Sequence, residues 1–275
     1  MKPARFDYVR AENLAEAHDV LAAEGSETSV LAGGQSLLPL LSTRLARPKV
    51  VLDIMRIPGL DGIAHEGDAT RVGAAVRQAK LAAWSDLAGA QPLLAGALPF
   101  IGHAQTRSRG TVCGSIAHAD PSAEIPLVLL ALAGEILLSS TRGQRRVAAA
   151  DFFTGLMSTA REEDELIEAA IVPRRQPGHG YAFREFARRH GDFAIVACAA
   201  IADARAARLA VGGVADRPVA FDALPLDGAA LDAALDRIAG ELDARDDLHA
   251  SADHRRHLVR RLGRATIAEA RQCRA

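Results

Sequence analysis

Cysteine is scarce in this chain. Three residues, Cys113, Cys198 and Cys273, stand far apart and odd in number. That argues against a disulfide framework, and since an iron–sulfur cluster normally takes about four thiolates, no cluster is expected here. Net charge is also lacking: 33 basic against 34 acidic residues leave a formal charge of −1. The chain therefore has no electrostatic bias towards nucleic acid or an anionic membrane. No apolar run reaches the ~18 residues that suggest a membrane span. Met1 to Arg10 mixes Lys2, Arg5, Asp7 and Arg10 with few apolar residues and contains no signal-peptide core, so the expected compartment is the cytoplasm. Internal repeats and low-complexity tracts are absent as well. What is present is an ordinary globular composition, 49% hydrophobic and 24% charged over 275 residues, enough for two domains or one large one with a full core.

Along the chain, Asn13 with Glu16 resembles a capping box. Leu14, Ala17, Leu21 and Ala22 follow at helical spacing, with Gly25 as the stop. Thr28 to Ala32 reads as a strand, Leu37 to Leu45 as a helix and Lys49 to Ile54 as a buried strand, giving a βαβ pattern. Gly67-Asp68 and Arg142-Gly143 each sit between strand-like runs and predict hairpins. Helical stretches fall at Gln78 to Leu87, Pro92 to Gly102 and Ser122 to Ala133, with a Gly- and Ser-rich passage, Thr106 to Ser115, between the last two. Leu166 to Val172 is a strand stopped by Pro173. The segment Arg174 to Gly180 is the candidate linker. Three strands are expected after it, at Tyr181 to Arg188, Phe193 to Ile201 and Ala207 to Gly212. Two helices are expected last, at Leu226 to Leu242 and Asp253 to Arg271. The class is α+β.

Two turns carry the candidate chemistry. In Leu31-Ala32-Gly33-Gly34-Gln35-Ser36-Leu37 the chain leaves a strand and enters a helix. Glycines there admit a close ligand, free N–H groups at a helix start favour an anion, and Ser36 adds a hydroxyl. The turn is neither a Walker A loop nor a G-x-G-x-x-G fingerprint, and a ligand-free turn would look the same. Gly110-Thr111-Val112-Cys113-Gly114-Ser115-Ile116 offers the same chemistry, and the pair together suggests a clamp on a diphosphate. His103 and His118 have no second ligand at i+4 spacing, so no metal site is expected.

Three blocks taken together resemble a known family. The first is Ala32 to Leu37 with Arg44-Leu45-Ala46-Arg47-Pro48 and Val51 to Ile54. The second is Thr106 to Thr111 with Gly114 to Pro121 and Ala123 to Pro126. The third is Asp151 to Gly155 with Asp164 to Ile167. In order and spacing they are similar to the FAD-binding medium subunit of the xanthine dehydrogenase and carbon monoxide dehydrogenase (molybdenum hydroxylase) family, over nearly the whole chain. The resemblance implies an FAD-binding domain of the vanillyl-alcohol-oxidase (PCMH) type in two subdomains, 1–56 and 57–175. It also implies a small C-terminal α+β domain, 176–275, built from a short antiparallel sheet and helices.

It further implies non-covalent FAD, with Ala32 to Leu37 and Thr111 to Ser115 at the pyrophosphate and Leu31 leading into the first turn. Asp120 and Glu124 would supply polar contacts beside the second turn. Ile101 and Ile167 would pack on flavin or adenine, or serve as plain core. Arg184 would lie near the cofactor, or be a solvated strand charge. Phe193 would lie beside the isoalloxazine and is expected to be buried. One departure is Cys113, where the family usually has glycine: a Cβ there is expected to narrow the approach to phosphate, unless the side chain is a buried filler.

No residue is assigned a catalytic role. The molybdenum cofactor and 2Fe–2S clusters would reside in partners, an iron–sulfur small subunit and a molybdenum large subunit, in a dimer of heterotrimers. The complex would pass electrons through this chain to an external acceptor. The alternative is a self-sufficient flavin oxidoreductase of the same fold.

Overall fold

The computed structural model describes residues 2–274. Three short strands, β1 (Asp7–Arg10), β2 (Thr28–Leu31) and β3 (Val50–Asp53), form a parallel sheet in the order β1-β3-β2. The helix Leu14–Glu24 is capped by Asn13, whose side chain accepts from the Glu16 N–H, while Glu16 accepts in turn from the Glu12 N–H. Its stop differs from the expected left-handed glycine. Gly25 is right-handed, φ −53°, and a Cβ there would stand 2.8 Å from the Glu163 carbonyl oxygen. Close approach of another segment, not backbone handedness, keeps this position glycine.

The second sheet contains β4 (Ile63–Glu66), β5 (Ala69–Gly73), β6 (Glu135–Ser140), β7 (Gly143–Ala148) and β10 (Leu166–Pro173) in the antiparallel order β4-β5-β10-β6-β7. Central β10 is buried from Leu166 to Val172, which explains a sequence that is apolar apart from Glu168, whose carboxylate pairs with Arg71 at 2.8 Å. Both expected hairpins form. A small pair, β8 (Phe153–Gly155) and β9 (Ser158–Thr159), lies between β7 and β10. The Gly- and Ser-rich passage is not a loop but two helices, Ala104–Arg109 and Val112–His118. Thr111 caps the second, and Val112, Cys113 and Ile116 anchor it in the core.

The last sheet is an antiparallel meander of β11 (Gly180–Phe186), β12 (Val196–Ala202), β13 (Ala207–Gly212) and β14 (Val219–Leu224). Strand β12 is buried on both faces. Ala197 and Ala199 belong to the main core, whereas Val196, Cys198 and Ala200 belong to a second core shared with the helices Gly228–Glu241 and Ala252–Gln272. Small side chains at alternate positions let both layers pack closely on one strand. The helix Glu124–Ala131, buried along its whole length, lies between the second sheet's layer and β12 and β13. It ties the C-terminal sheet to the rest.

Candidate functional site

A cleft with a cavity volume of ≈ 390 Å³ runs past the ends of β2 and β3, the start of β10, and the loop before β12. That is within the usual range for ligand pockets, about 300–1,000 Å³. Both glycine turns open onto it.

The first turn leaves β2 and enters the helix Leu37–Ser42. Gly34 has φ +72°, a region costly to any side chain. Gly33 has a different reason to be glycine. A Cβ there would collide with the Arg109 carbonyl oxygen and stand 2.6 Å from the Gly110 Cα, so the two turns touch backbone to backbone at this point. Among the described residues, the N–H groups of Gly33, Gly34, Gln35 and Ser36 have no acceptor within the protein. The Ser36 hydroxyl makes no cap bond. The turn thus presents a row of unengaged donors and one hydroxyl, an arrangement suited to phosphate oxygens.

The second turn has only part of its donors free: among the described residues the Thr111 and Cys113 N–H groups have no acceptor within the protein, while their neighbours are engaged. The Val112 N–H donates to the Val76 carbonyl at 3.0 Å, and the Gly114 N–H donates to Thr111 Oγ1, also at 3.0 Å. A Cβ on Gly114 would lie 2.6 Å from that hydroxyl oxygen and 4.0 Å from the Ala32 Cβ, so Gly114 faces the first turn. The expected narrowing by Cys113 does not occur. Its side chain turns into the core, where the thiol lies 3.5 Å from the Val72 carbonyl oxygen and burial pushes its pKa up to about 12. Cys113 reaches the cleft through its backbone side.

Gln78 also borders the cleft. Its backbone N–H donates to the Gly110 carbonyl at 2.8 Å and its side-chain nitrogen to the Thr111 carbonyl at 3.4 Å. Its Oε1 is buried without a partner. A buried acceptor left unpaired is costly, and a hydroxyl-bearing ligand in the cleft would satisfy it. The orphaned acceptor lies close to the junction of the two turns, since a Cβ on Gly110 would stand 3.1 Å from Gln78 Oε1; unengaged amides with an unpaired acceptor nearby fit a dinucleotide carrying both phosphates and hydroxyls.

Of the residues singled out by sequence, Ala32, Gly33, Gly34, Gln35, Ser36, Leu37, Ile101, Thr111, Cys113, Gly114, Ser115, Asp120, Glu124, Ile167 and Phe193 line this one cleft. Ile101 and Ile167 are at once core and cleft wall, at 7% and 5% exposure. Asp120 accepts from the Ser122 N–H at 2.8 Å. Glu124 is buried, and burial, reinforced by Asp120, pushes its pKa up to about 7. Phe193 differs from expectation: it is 63% exposed, at the mouth of the cleft rather than in its interior. Leu31 and Arg184 do not border the cleft. Arg184 is on the outer part of β11 and pairs with Glu269 at 2.7 Å.

Sequence reasoning missed Gln78 and Arg161. Arg161 borders the cleft while donating to the carbonyls of Glu162, Glu163 and Glu165, and burial lowers its pKa. Within the run Arg161-Glu162-Glu163-Asp164 it looks like one more surface charge. Among the described residues no cluster of three or more His, Cys, Asp or Glu is placed to hold a metal, and no helix is long and apolar enough to cross a membrane.

Comparison with known proteins bears on the cleft directly. Residues 4–175 match the family model of the FAD binding domain in molybdopterin dehydrogenase. Residues 181–270 match that of the CO dehydrogenase flavoprotein C-terminal domain. The chain is 39% identical over 282 residues to the nicotine 6-hydroxylase medium subunit of Paenarthrobacter nicotinovorans, covering 98% of this chain and 99% of that one. It is 37% identical over 201 residues to the carbon monoxide dehydrogenase medium chain of Hydrogenophaga pseudoflava, covering 73% and 70%. Among solved structures it is similar to carbon monoxide dehydrogenase from Hydrogenophaga pseudoflava, with TM-score 0.94, 32% identity and full coverage of both chains. It is also similar to quinoline 2-oxidoreductase from Pseudomonas putida 86, with TM-score 0.92, 33% identity and 99% coverage of both. With its two-part architecture matched end to end, this chain belongs to the family of FAD-binding medium subunits of molybdenum hydroxylases.

Proposed function

We propose that this chain is the electron-transfer subunit of a molybdenum hydroxylase complex. It holds FAD non-covalently, receives electrons from an iron–sulfur small subunit and delivers them to an external acceptor, while hydroxylation takes place in a molybdenum large subunit. The complex is a dimer of heterotrimers in the cytoplasm. The observation that carries the reading is the row of unengaged amides from Gly33 to Ser36, facing Gly114 across the cleft. Bound FAD supplies chemistry the side chains lack, since it exchanges electrons singly or in pairs and so links one-electron clusters to a two-electron acceptor.

The chain's own residues bind and orient. The Gly33 to Ser36 amides and the Ser36 hydroxyl hold the pyrophosphate, and Gly114 leaves room for it. Gln78 Oε1 accepts from a cofactor hydroxyl. Ile101 and Ile167 would exclude water along the wall, and Phe193 would flank the bound cofactor at the mouth. Leu31 and Arg184 stand behind the turn and on the far strand, without direct contact. The division of labour follows the segments 1–56, 57–175 and 176–275: the first two hold the cofactor, and the third closes the cleft's mouth through Phe193.

Mixing the FAD-loaded chain with its reduced iron–sulfur partner tests this reading. The flavin absorbance is expected to bleach on mixing and to recover with acceptor, and the chain alone is expected to leave organic substrates unchanged. Substrate turnover by the pure chain would instead support a self-sufficient flavin oxidoreductase.

A further inference from the structure

We propose that Arg255, which does not border the cleft, is a positioning residue for it. Arg255 fixes the backbone that carries Phe193, and so sets how far the bound flavin is open to solutes at the cleft's mouth. The inference rests on the FAD reading above and extends it to the C-terminal domain.

Phe193 is not held by its own packing. Its exposed side chain borders the cleft and also a second cavity of ≈ 610 Å³. A ring between two open spaces has few contact atoms to hold it. Its place then depends on what grips the backbone on either side, at residues 191 and 195.

The first flank is seated on the cleft wall. A Cβ on Gly191 would stand 2.9 Å from the Gly102 carbonyl oxygen, so the two backbones touch. Gly102 follows Ile101 of the wall, and Arg107 donates to the Ile101 and Gly102 carbonyls at 2.8 and 2.9 Å.

The second flank is held by Arg255. This residue is near the start of the helix Ala252–Gln272, at 6% exposure. Its Nη1 donates to the carbonyls of Ile195 and Gly213, both at 2.6 Å, and its Nη2 donates to the Asp247 carboxylate. Asp247 in turn accepts from the His249 and Ala250 N–H groups at 2.8 and 2.9 Å. A buried guanidinium cannot shed its charge, so its acceptors are obligatory. Ile195 lies just before β12 and Gly213 just after β13, so one side chain ties two strand ends together. The Gly213 N–H donates to the Pro121 carbonyl at 2.7 Å, next to Asp120 of the cleft. Arg255 thus reaches both rims of the mouth: Phe193 through Ile195, and Asp120 through Gly213 and Pro121.

The test uses the full chain loaded with FAD, with iodide quenching of flavin fluorescence as the measure of cover. Phe193→Ala sets the value for an uncovered mouth. Arg255→Lys keeps the charge but replaces the planar fork by a single ammonium. It is expected to raise the quenching constant by about twofold or more over wild type, as the ring spends more time away from the mouth. The double variant is expected to match Phe193→Ala alone, because Arg255 acts on the flavin through that ring. If Arg255→Lys does not fold, Asp247→Asn, at the exposed end of the network, takes its place with a smaller rise expected. In the FAD-free chain, the Ile195 and Gly213 amides are expected to exchange hydrogen faster in Arg255→Lys while central β10 keeps its protection. A quenching constant equal to wild type, with only the unfolding midpoint lowered, means a purely structural role and overturns the proposal. So does a double variant in which the two effects multiply. A wild-type chain that takes up no FAD overturns the cofactor reading, and faster exchange in Arg255→Lys would then leave the anchoring of the strand ends standing.

Discussion

In the first turn, Gly33 to Ser36 keep four amides unengaged. In the second, Thr111 and Val76 already hold the amides of Gly114 and Val112. The motifs look alike in sequence, yet the first leaves a continuous row of four donors free, whereas in the second the free N–H groups of Thr111 and Cys113 alternate with engaged ones. The first turn is the main anion-binding half of the proposed clamp. The second is a capped, core-anchored support that brings a bare glycine face opposite it. The glycines divide in the same way: Gly33 makes the backbone contact between the turns, Gly34 supplies the positive φ, and Gly114 clears space beside its own cap.

The largest stability loss is expected away from both turns, which separates folding from binding. Leu129 is 2% exposed, so Leu129→Ala should cost about 2–5 kcal/mol while the folded fraction keeps normal FAD affinity. Chemical denaturation alongside flavin titration checks both. Gly33→Ala comes next. Its Cβ meets backbone that cannot swing away, so overpacking of roughly 1–3 kcal/mol should accompany loss of flavin, because the joint between the turns opens. Gly34→Ala carries the left-handed backbone cost, about 1–2 kcal/mol, and its Cβ presses only on the movable Leu38 side chain, at 3.0 Å, and the Leu31 side chain, at 3.3 Å. It should lose flavin out of proportion to that loss, and normal FAD retention in this variant would break the assignment of the first turn. Thr111→Ala removes a cap worth about 1 kcal/mol and frees the Gly114 amide. It should weaken retention less than Gly34→Ala does, and the reverse order would show that the second turn is the stronger half.

The smallest effect is the pH dependence. Glu124 and Glu185 have folded-state pKa values raised above their ordinary 4.5 to about 7 and about 8. Their contribution to stability is therefore complete below about 4.5, declines as pH rises from there, and is fully lost once pH has passed the folded values of about 7 and about 8. Thermal unfolding midpoints should fall between about 4.5 and about 8 and level off above, and Glu185→Gln should flatten the fall.

Much of this was legible in the sequence where local signals agreed. The hairpins at Gly67-Asp68 and Arg142-Gly143 announce themselves by turn residues between strand-like runs, and the late helices by their Ala-, Leu- and Arg-rich composition. Strand β1 was missed because Asp7, Tyr8 and Arg10 look like a polar leader, and its pairing with β3 is a long-range event. Strand β14 was missed because Pro218 and Asp222 obscure its pattern. The helices Ala104–Arg109 and Val112–His118 give no helical signal in the Gly- and Ser-rich passage, because Gly, Ser and Thr have low helix propensity. A Thr111 cap and three buried side chains override that propensity. For the site, the glycine motifs found the cleft but not the asymmetry within it, which depends on where each amide donates. Gln78 carried no local signal at all. Its role follows from a buried oxygen visible only after folding. Phe193 was assigned to the right place with the wrong burial, since sequence cannot show that the chain reaches the cleft mouth before entering β12.

The central claim, that this cleft retains FAD through contacts alone, is tested most directly by acid precipitation of the purified full chain. Flavin should pass into the supernatant in stoichiometric amount with the protein, and the pellet should be colourless. Yellow colour fixed to the pellet, or a chain purified without flavin that takes none up on addition of FAD, would contradict the account.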